Sequence, residues 1–222
     1  MRKLHILCEG QTEETIVRET IAPYFDSPGQ CHTAFSILNT KRPASGSTFR
    51  GGMSKWSKVQ HEIRLLLRDS STTVLTTLFD YYGLPGDVPG MEDRPDGTPY
   101  ERVSHVERAM AEAVGDPRFI PHLVLHEIET WVLACHEALE IVTDNPQLSG
   151  SVKNLLENVD SPELVNDGAA TAPSKRLAKL YPRYKKTSDG PDSISLTGLD
   201  QIRGRCPHAN SWFDSVADRL KN

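Results

Sequence analysis

Several large protein classes are excluded by what this chain lacks. Its four cysteines, Cys8, Cys31, Cys135 and Cys206, form no C-x-x-C pair, so neither a zinc ribbon nor a disulfide framework is indicated. No apolar run approaches the roughly 20 residues needed to cross a bilayer, and no long apolar signal segment opens the chain. A cytoplasmic protein without membrane partners is therefore expected. Glycine patterns of the Walker or dinucleotide type are missing, as are internal repeats and low-complexity tracts. The stretch His126-Glu127-Ile128-Glu129-Thr130 begins like a zinc-protease helix, but threonine at 130 removes the second metal ligand. The eight histidines are dispersed and read as structural.

Acid is also missing locally. Between Ser27 and His61 there is none, whereas Lys41, Arg42, Arg50, Lys55 and Lys58 are all basic. A second acid-free stretch carries Lys175, Arg176, Lys179, Arg183, Lys185 and Lys186. The net charge of −5 argues against a protein that coats nucleic acid generically, so the segregation matters more than the total. Carboxylates collected in one place and cations in another suit metal-dependent phosphodiester chemistry, the acids for a cation and the bases for a backbone. A solvated charged face explains either basic stretch taken alone.

The acids fall at telling positions. Leu4, Ile6 and Leu7 form a short apolar run of the kind found in buried parallel strands, and Gly10 turns the chain after Glu9. Thr12 stands where a helix N-cap would, with Glu13 and Glu14 behind it in the first turn. Ile16, Val17, Thr20, Ile21 and Tyr24 continue at helical spacing until Pro23 and Ser27-Pro28-Gly29 end the helix. Thr33 to Leu38 reads as a second strand, and Thr40 to Ser54 as a long loop in which Arg50-Gly51-Gly52 could close over substrate. Trp56, Val59, Ile63, Leu66 and Leu67 mark an amphipathic helix. Thr73 to Phe79 is the strongest strand pattern, and it ends on Asp80 before turn residues. Val103, Val106, Met110 and Val114 give another helix, stopped by Gly115. Phe119 to Leu125 reads as the last core strand, with Pro121 marking an edge or an unpaired end, and it runs into Glu127 and Glu129.

This alternation predicts an α/β fold: a parallel sheet flanked by helices over residues 1–140, with a small helical subdomain over 141–222 where prolines interrupt short helical segments. Carboxyl ends of parallel strands are where ligands bind in such sheets. Glu9, Asp80 and the pair Glu127/Glu129 are thus candidate ligands for Mg²⁺, with Mn²⁺ as a substitute, since hard cations need only a few carboxylates beside substrate phosphate. On one helix Glu127 and Glu129 would diverge by about 200°, which makes Glu127, nearer the strand, the better-placed ligand and turns Glu129 outward or onto a second ion.

Glu9-Gly10-Gln11-Thr12-Glu13, Phe79-Asp80-Tyr81-Tyr82-Gly83-Leu84-Pro85 and His126-Glu127-Ile128-Glu129-Thr130-Trp131 resemble the three core motifs of an uncharacterised bacterial Toprim-like family, a domain of unknown function. Pro173-Ser174-Lys175-Arg176-Leu177, Tyr184-Lys185-Lys186, and Ile202-Arg203 through Cys206-Pro207-His208 resemble the C-terminal motifs of the same family. The motif pattern is similar to that of overcoming-lysogenization-defect nucleases. The resemblance implies a Toprim-like fold and a Mg²⁺-dependent nuclease acting on DNA or RNA. From the basic stretches, Arg50, Lys175, Arg176 and Lys186 are the expected contacts to nucleic acid; by the resemblance, Glu9 would be the catalytic acid/base and Asp80 a catalytic metal ligand. It further implies antiphage defence beside an ABC-type ATPase, and leaves a homo-oligomer open. Where many Toprim proteins carry D-x-D this chain has Asp80-Tyr81-Tyr82, so Glu127 or Glu129 must supply the missing carboxylate. A binding or regulatory subunit without catalysis is one alternative, and phosphotransfer or phosphatase chemistry on a small molecule is another.

Overall fold

Leu4, Ile6, Leu7 and Cys8 are sealed from solvent on both faces of a central strand, β1 (Arg2–Cys8), as a continuous apolar run in a parallel sheet requires. The computed structural model describes residues 1–38, 53, 55–166, 168 and 171–221. β1 pairs in parallel with β2 (Cys31–Ile37) on one side and β3 (Thr72–Asp80) on the other. Two short strands, β4 (Phe119–Ile120) and β5 (Leu123–Val124), pair with β3 in succession. The sheet order is β2-β1-β3-β4, with β5 beside the carboxyl end of β3.

The single strand expected over 119–125 is therefore two. Pro121 has no N–H to give to the ladder, and the gap is bridged by a side chain. Thr77 Oγ1 accepts the His122 N–H and donates to the His122 carbonyl, both at 2.9 Å.

Helices cover both faces. α3 (Trp56–Leu66) and α4 (Pro99–Val114) bury Val59, Ile63, Val103, Val106 and Met110 against Leu7, Leu75 and Phe79. Thr98 and Glu101 form a reciprocal capping box at the start of α4, and Gly115 ends it at φ 71°. On the other face α1 (Gln11–Ile16) begins at Gln11, one residue before the expected Thr12 cap, with Gly10 at the N-cap position. A π-helical turn over Val17–Ile21 leads into α2 (Ala22–Phe25). Pro23 cannot donate within this helix, and the widened turn carries the chain past it to Asp26.

The remaining helices are α5 (Glu129–Ala134), α6 (His136–Thr143), α7 (Leu148–Leu156), α8 (Pro173–Leu180), α9 (Asp189–Thr197), α10 (Leu199–Arg205) and α11 (Pro207–Lys221). They complete the layer begun by α1. Ile194, Ile202, Trp212 and Phe213 share one buried cluster with Leu4, Ile6 and Leu78, so the core runs across position 140 without a break. Among the described residues no helix is long and apolar enough to cross a membrane.

Candidate functional site

Glu9 follows β1 directly, and its N–H donates to the Leu78 carbonyl at 3.2 Å, which extends the parallel pairing past the strand. Its Oε2 accepts the Asp80 N–H at 3.0 Å. The ends of two neighbouring strands are thereby locked together through a carboxylate. Asp80 in turn accepts the Ile128 N–H on Oδ1 at 2.8 Å, supplying from β3 the cap that α5 lacks in its own sequence. Its Oδ2 faces Lys186 Nζ at 3.5 Å. Lys186 also reaches Glu129 Oε2 at 3.1 Å. Glu129 is fully buried, and its other oxygen has no hydrogen-bond partner.

A backbone detail aims these groups. His126 adopts φ 69°, a left-handed conformation that costs a non-glycine residue roughly 1–2 kcal/mol. The chain turns sharply there, its carbonyl accepting the Tyr82 N–H at 2.7 Å, and α5 starts only at Glu129. Glu127 and Glu129 consequently do not belong to one continuous helix. The expected order is reversed: Glu129 points into the site, whereas Glu127 Oε2 is taken by the Ser174 N–H at 3.0 Å, at the start of α8.

Crowded carboxylates in a poorly hydrated place resist ionisation. Burial is the largest cause in each case here. It lifts Glu9 to about 7, with Glu13 adding to the shift while the Asp80 N–H and Lys186 oppose it. Asp80 is raised by burial and by Glu13, Glu9 and Glu129, against the pull of Lys186. Glu129 is raised by burial and Glu127, again opposed by Lys186. Burial alone would lower Lys186, but Asp80, Glu129 and Glu13 outweigh it and hold the ammonium charged. A cation of the protein's own thus stands among the acids.

Among the described residues, no three of these carboxylates bring donor oxygens within 4.8 Å of one another. A metal ion would need Lys186 to withdraw and the acids to close inward. The donor set is nevertheless suitable, being all oxygen, and the unpartnered Glu129 oxygen is an open position for a hard cation. Glu9, Asp80 and Glu129 are the residues that would hold it.

The other expected residues separate. Lys175 is exposed on α8, next to the Ser174 that Glu127 engages. Arg176 is partly buried and donates through Nε to the Thr171 carbonyl at 2.7 Å. Lys186, expected on a nucleic-acid surface, lies inside the acidic cluster. Arg50 and the Arg50-Gly51-Gly52 loop lie outside the described residues.

Two members were not singled out in sequence. Glu13, read as a helix-start charge, is only 4% exposed and acts on Glu9, Asp80 and Lys186. The Tyr184 hydroxyl is buried without a hydrogen-bond partner and held protonated by burial and by Glu129. Gly190 makes room for it, since a Cβ there would stand 2.8 Å from the hydroxyl. The signal for Glu13 lay in its spacing from Glu9: the helix starting at Gln11 turns its first buried positions toward the strand end.

Fold and site define an α/β protein with an acidic cluster at the carboxyl edge of a parallel sheet, bridged by an internal lysine. The chain belongs to the family described as Domain of unknown function (DUF4276), whose sequence profile matches residues 8–217. No curated protein and no solved structure matches it.

Proposed function

We propose that the protein is a Mg²⁺-dependent nuclease of Toprim type. The observation that carries the reading is the gathering of Asp80 and Glu129 around Lys186 Nζ, with Glu9 bonded to the Asp80 N–H, at the carboxyl edge of β1 and β3. Glu9, lifted to about 7, is poised to exchange a proton near neutral pH, either taking one from an attacking water or giving one to a leaving oxygen. Asp80 and Glu129 supply the carboxylate pair that a D-x-D motif provides elsewhere, with Glu129 in place of the absent second aspartate. A bound Mg²⁺ would polarise the phosphate and stabilise the leaving oxygen. Lys186 neutralises the acids when no substrate is present and, once released, is within reach of a phosphate brought to the same edge. Lys175, exposed on α8 one residue after the Ser174 that Glu127 engages, is the surface cation offered to a nucleic-acid backbone, with Arg176 beside it in sequence. The motif resemblance adds antiphage defence with an ABC-type ATPase as partner, so the assay includes any ATPase encoded beside it.

Plasmid DNA and total RNA incubated with the purified chain, Mg²⁺ or Mn²⁺, and that ATPase test the reading. Cleavage that falls at least 100-fold in Glu9→Ala and Asp80→Ala, both still folded, is the expected result. Undiminished cleavage by the double variant contradicts it.

The Lys186 bridge itself favours a second reading, a binding or regulatory subunit in which an internal ion pair replaces the metal. Nucleic-acid binding that ignores EDTA, with no cleavage in any metal, would select that reading.

A further inference from the structure

Away from the acidic edge, three side chains from three elements meet beneath the start of α11. Glu107 lies on α4, His122 between β4 and β5, and His208 in the first turn of α11. Glu107 Oε1 is 3.0 Å from His208 Nε2 and 3.4 Å from His122 Nδ1. One donor atom from each residue lies within 4.8 Å of the other two. No other group of three or more histidine, cysteine, aspartate or glutamate side chains among the described residues comes together so closely.

We propose that Glu107, His122 and His208 bind one divalent first-row transition ion, best matched by Zn²⁺, which staples α4, the β4–β5 corner and α11 together. Zinc bonds of about 2.0–2.2 Å in tetrahedral geometry place donor atoms roughly 3.3–3.5 Å apart, close to the two short separations here. Two imidazoles and one carboxylate form a donor set that zinc accepts, leaving a fourth position for water. The oxygen-only cluster at the sheet edge calls for a harder cation, so the two sites select different metals.

The three ligands are held in place by contacts of their own. His122 is fixed through its backbone by Thr77, and its ring lies flat against Trp212, with centroids 4.4 Å apart and planes 6° from parallel. The His208 N–H donates to Glu163 Oε2 at 2.9 Å, anchoring the first turn of α11. Glu107 Oε1 also accepts the Leu123 N–H at 2.8 Å. Such support reduces the reorganisation that binding would require. The His122 side chain is 1% exposed, that of His208 9% and that of Glu107 15%, so an ion would enter past Glu107.

The three side chains set one another's charge. Burial raises the Glu107 carboxyl, yet hydrogen bonds from His122 and His208 outweigh it and hold the group at about 2. Burial pushes His122 down to about 4, against the pull of Glu107. The carboxylate is therefore charged and the His122 imidazole neutral at pH 7. Burial alone would lower His208, but the Glu107 hydrogen bond outweighs it and raises the group, so a zinc ion must displace the protons that His208 Nε2 and His122 Nδ1 donate to Glu107.

The test uses the full chain, stripped with chelator, dialysed and titrated with ZnCl₂. One equivalent of zinc retained through gel filtration is expected, with the unfolding midpoint raised by about 5–10 °C at zinc about 100-fold above Kd. Glu107→Gln and His208→Asn should each weaken zinc binding at least 10-fold, whereas Glu92→Gln, at an exposed position, should leave it unchanged. Failure of the nuclease reading would not affect this result, because the two sites share no residue. Wild-type protein that retains no zinc, or variants that bind it as wild type does, would overturn the proposal. Should the variants fail to fold, Co²⁺ added to the stripped wild type decides: intense visible bands of a four- or five-coordinate ion support the site, and the pale spectrum of the hydrated ion overturns it.

Discussion

Glu9 shows how position converts an ordinary carboxylate into a chemical group. Its side chain is tied to the Asp80 N–H, which favours the charged form, but burial and Glu13 prevail and the group titrates near 7. Following its side-chain carbon by NMR in chelator should give a midpoint about 2 or more units above that of an exposed glutamate, and Mg²⁺ should move it down. The sign for stability follows. A carboxyl whose folded pKa exceeds its unfolded value of 4.5 makes the native state lose stability as pH rises from 4.5 through 7. Glu9→Gln should therefore melt a few degrees above wild type at pH 8 in chelator and converge with it below pH 4.5. Lys186 has the complementary role. Lys186→Met leaves the buried Glu129 unpaired, and we expect a loss of the order of 2 kcal/mol at pH 8, less than the roughly 3–5 kcal/mol of a fully buried pair because the lysine side chain is 41% exposed. Urea unfolding should show that loss shrinking as pH falls and Glu129 and Asp80, both raised, take up protons.

At the scale of elements, the strand ends are positioned by side chains that stand in for backbone. Thr77 is completely buried and satisfies both the N–H and the carbonyl of His122 across the gap that Pro121 opens. Thr77→Val keeps the shape and removes both bonds, so it should cost about 2–4 kcal/mol in chemical denaturation, while Thr77→Ser should cost under about 1.5 kcal/mol. Apolar spacing was enough to locate β1, β3 and α4, because a buried parallel strand and a half-buried helix leave period-specific marks in sequence. The break within 119–125 and the delayed start of α5 were not legible. Both depend on pairing with β3, where Thr77 and Asp80 act from more than 40 residues away. For the same reason the sequence did not show that Glu127 would engage the Ser174 N–H and Glu129 the Lys186 ammonium. An angular argument for one helix cannot apply when α5 begins only at Glu129 and leaves Glu127 outside it.

For the molecule as a whole, the helices beyond residue 140 do more than decorate the sheet. They contribute Trp212 and Phe213 to the core shared with β1, and Trp212 Nε1 donates to Thr76 Oγ1 of β3 at 2.8 Å. The same layer delivers Lys186 and Tyr184 to the acidic edge and His208 to Glu107 and His122. Acids at strand ends were readable one strand at a time, since each closes an apolar run. That a lysine from the second half of the chain would sit among them was hidden, because the acid-free run from Lys175 to Lys186 looks uniformly solvated until its fold is known. Glu9, Asp80 and Glu129 are proposed to hold a divalent ion when Lys186 gives way. Crystals of the chain grown with MnCl₂ test it through anomalous diffraction at a wavelength chosen for manganese. A peak between the Asp80 and Glu129 carboxylates, with the Lys186 ammonium displaced, is expected; no peak there, with Lys186 still bridging the two acids at saturating Mn²⁺, would contradict the proposal.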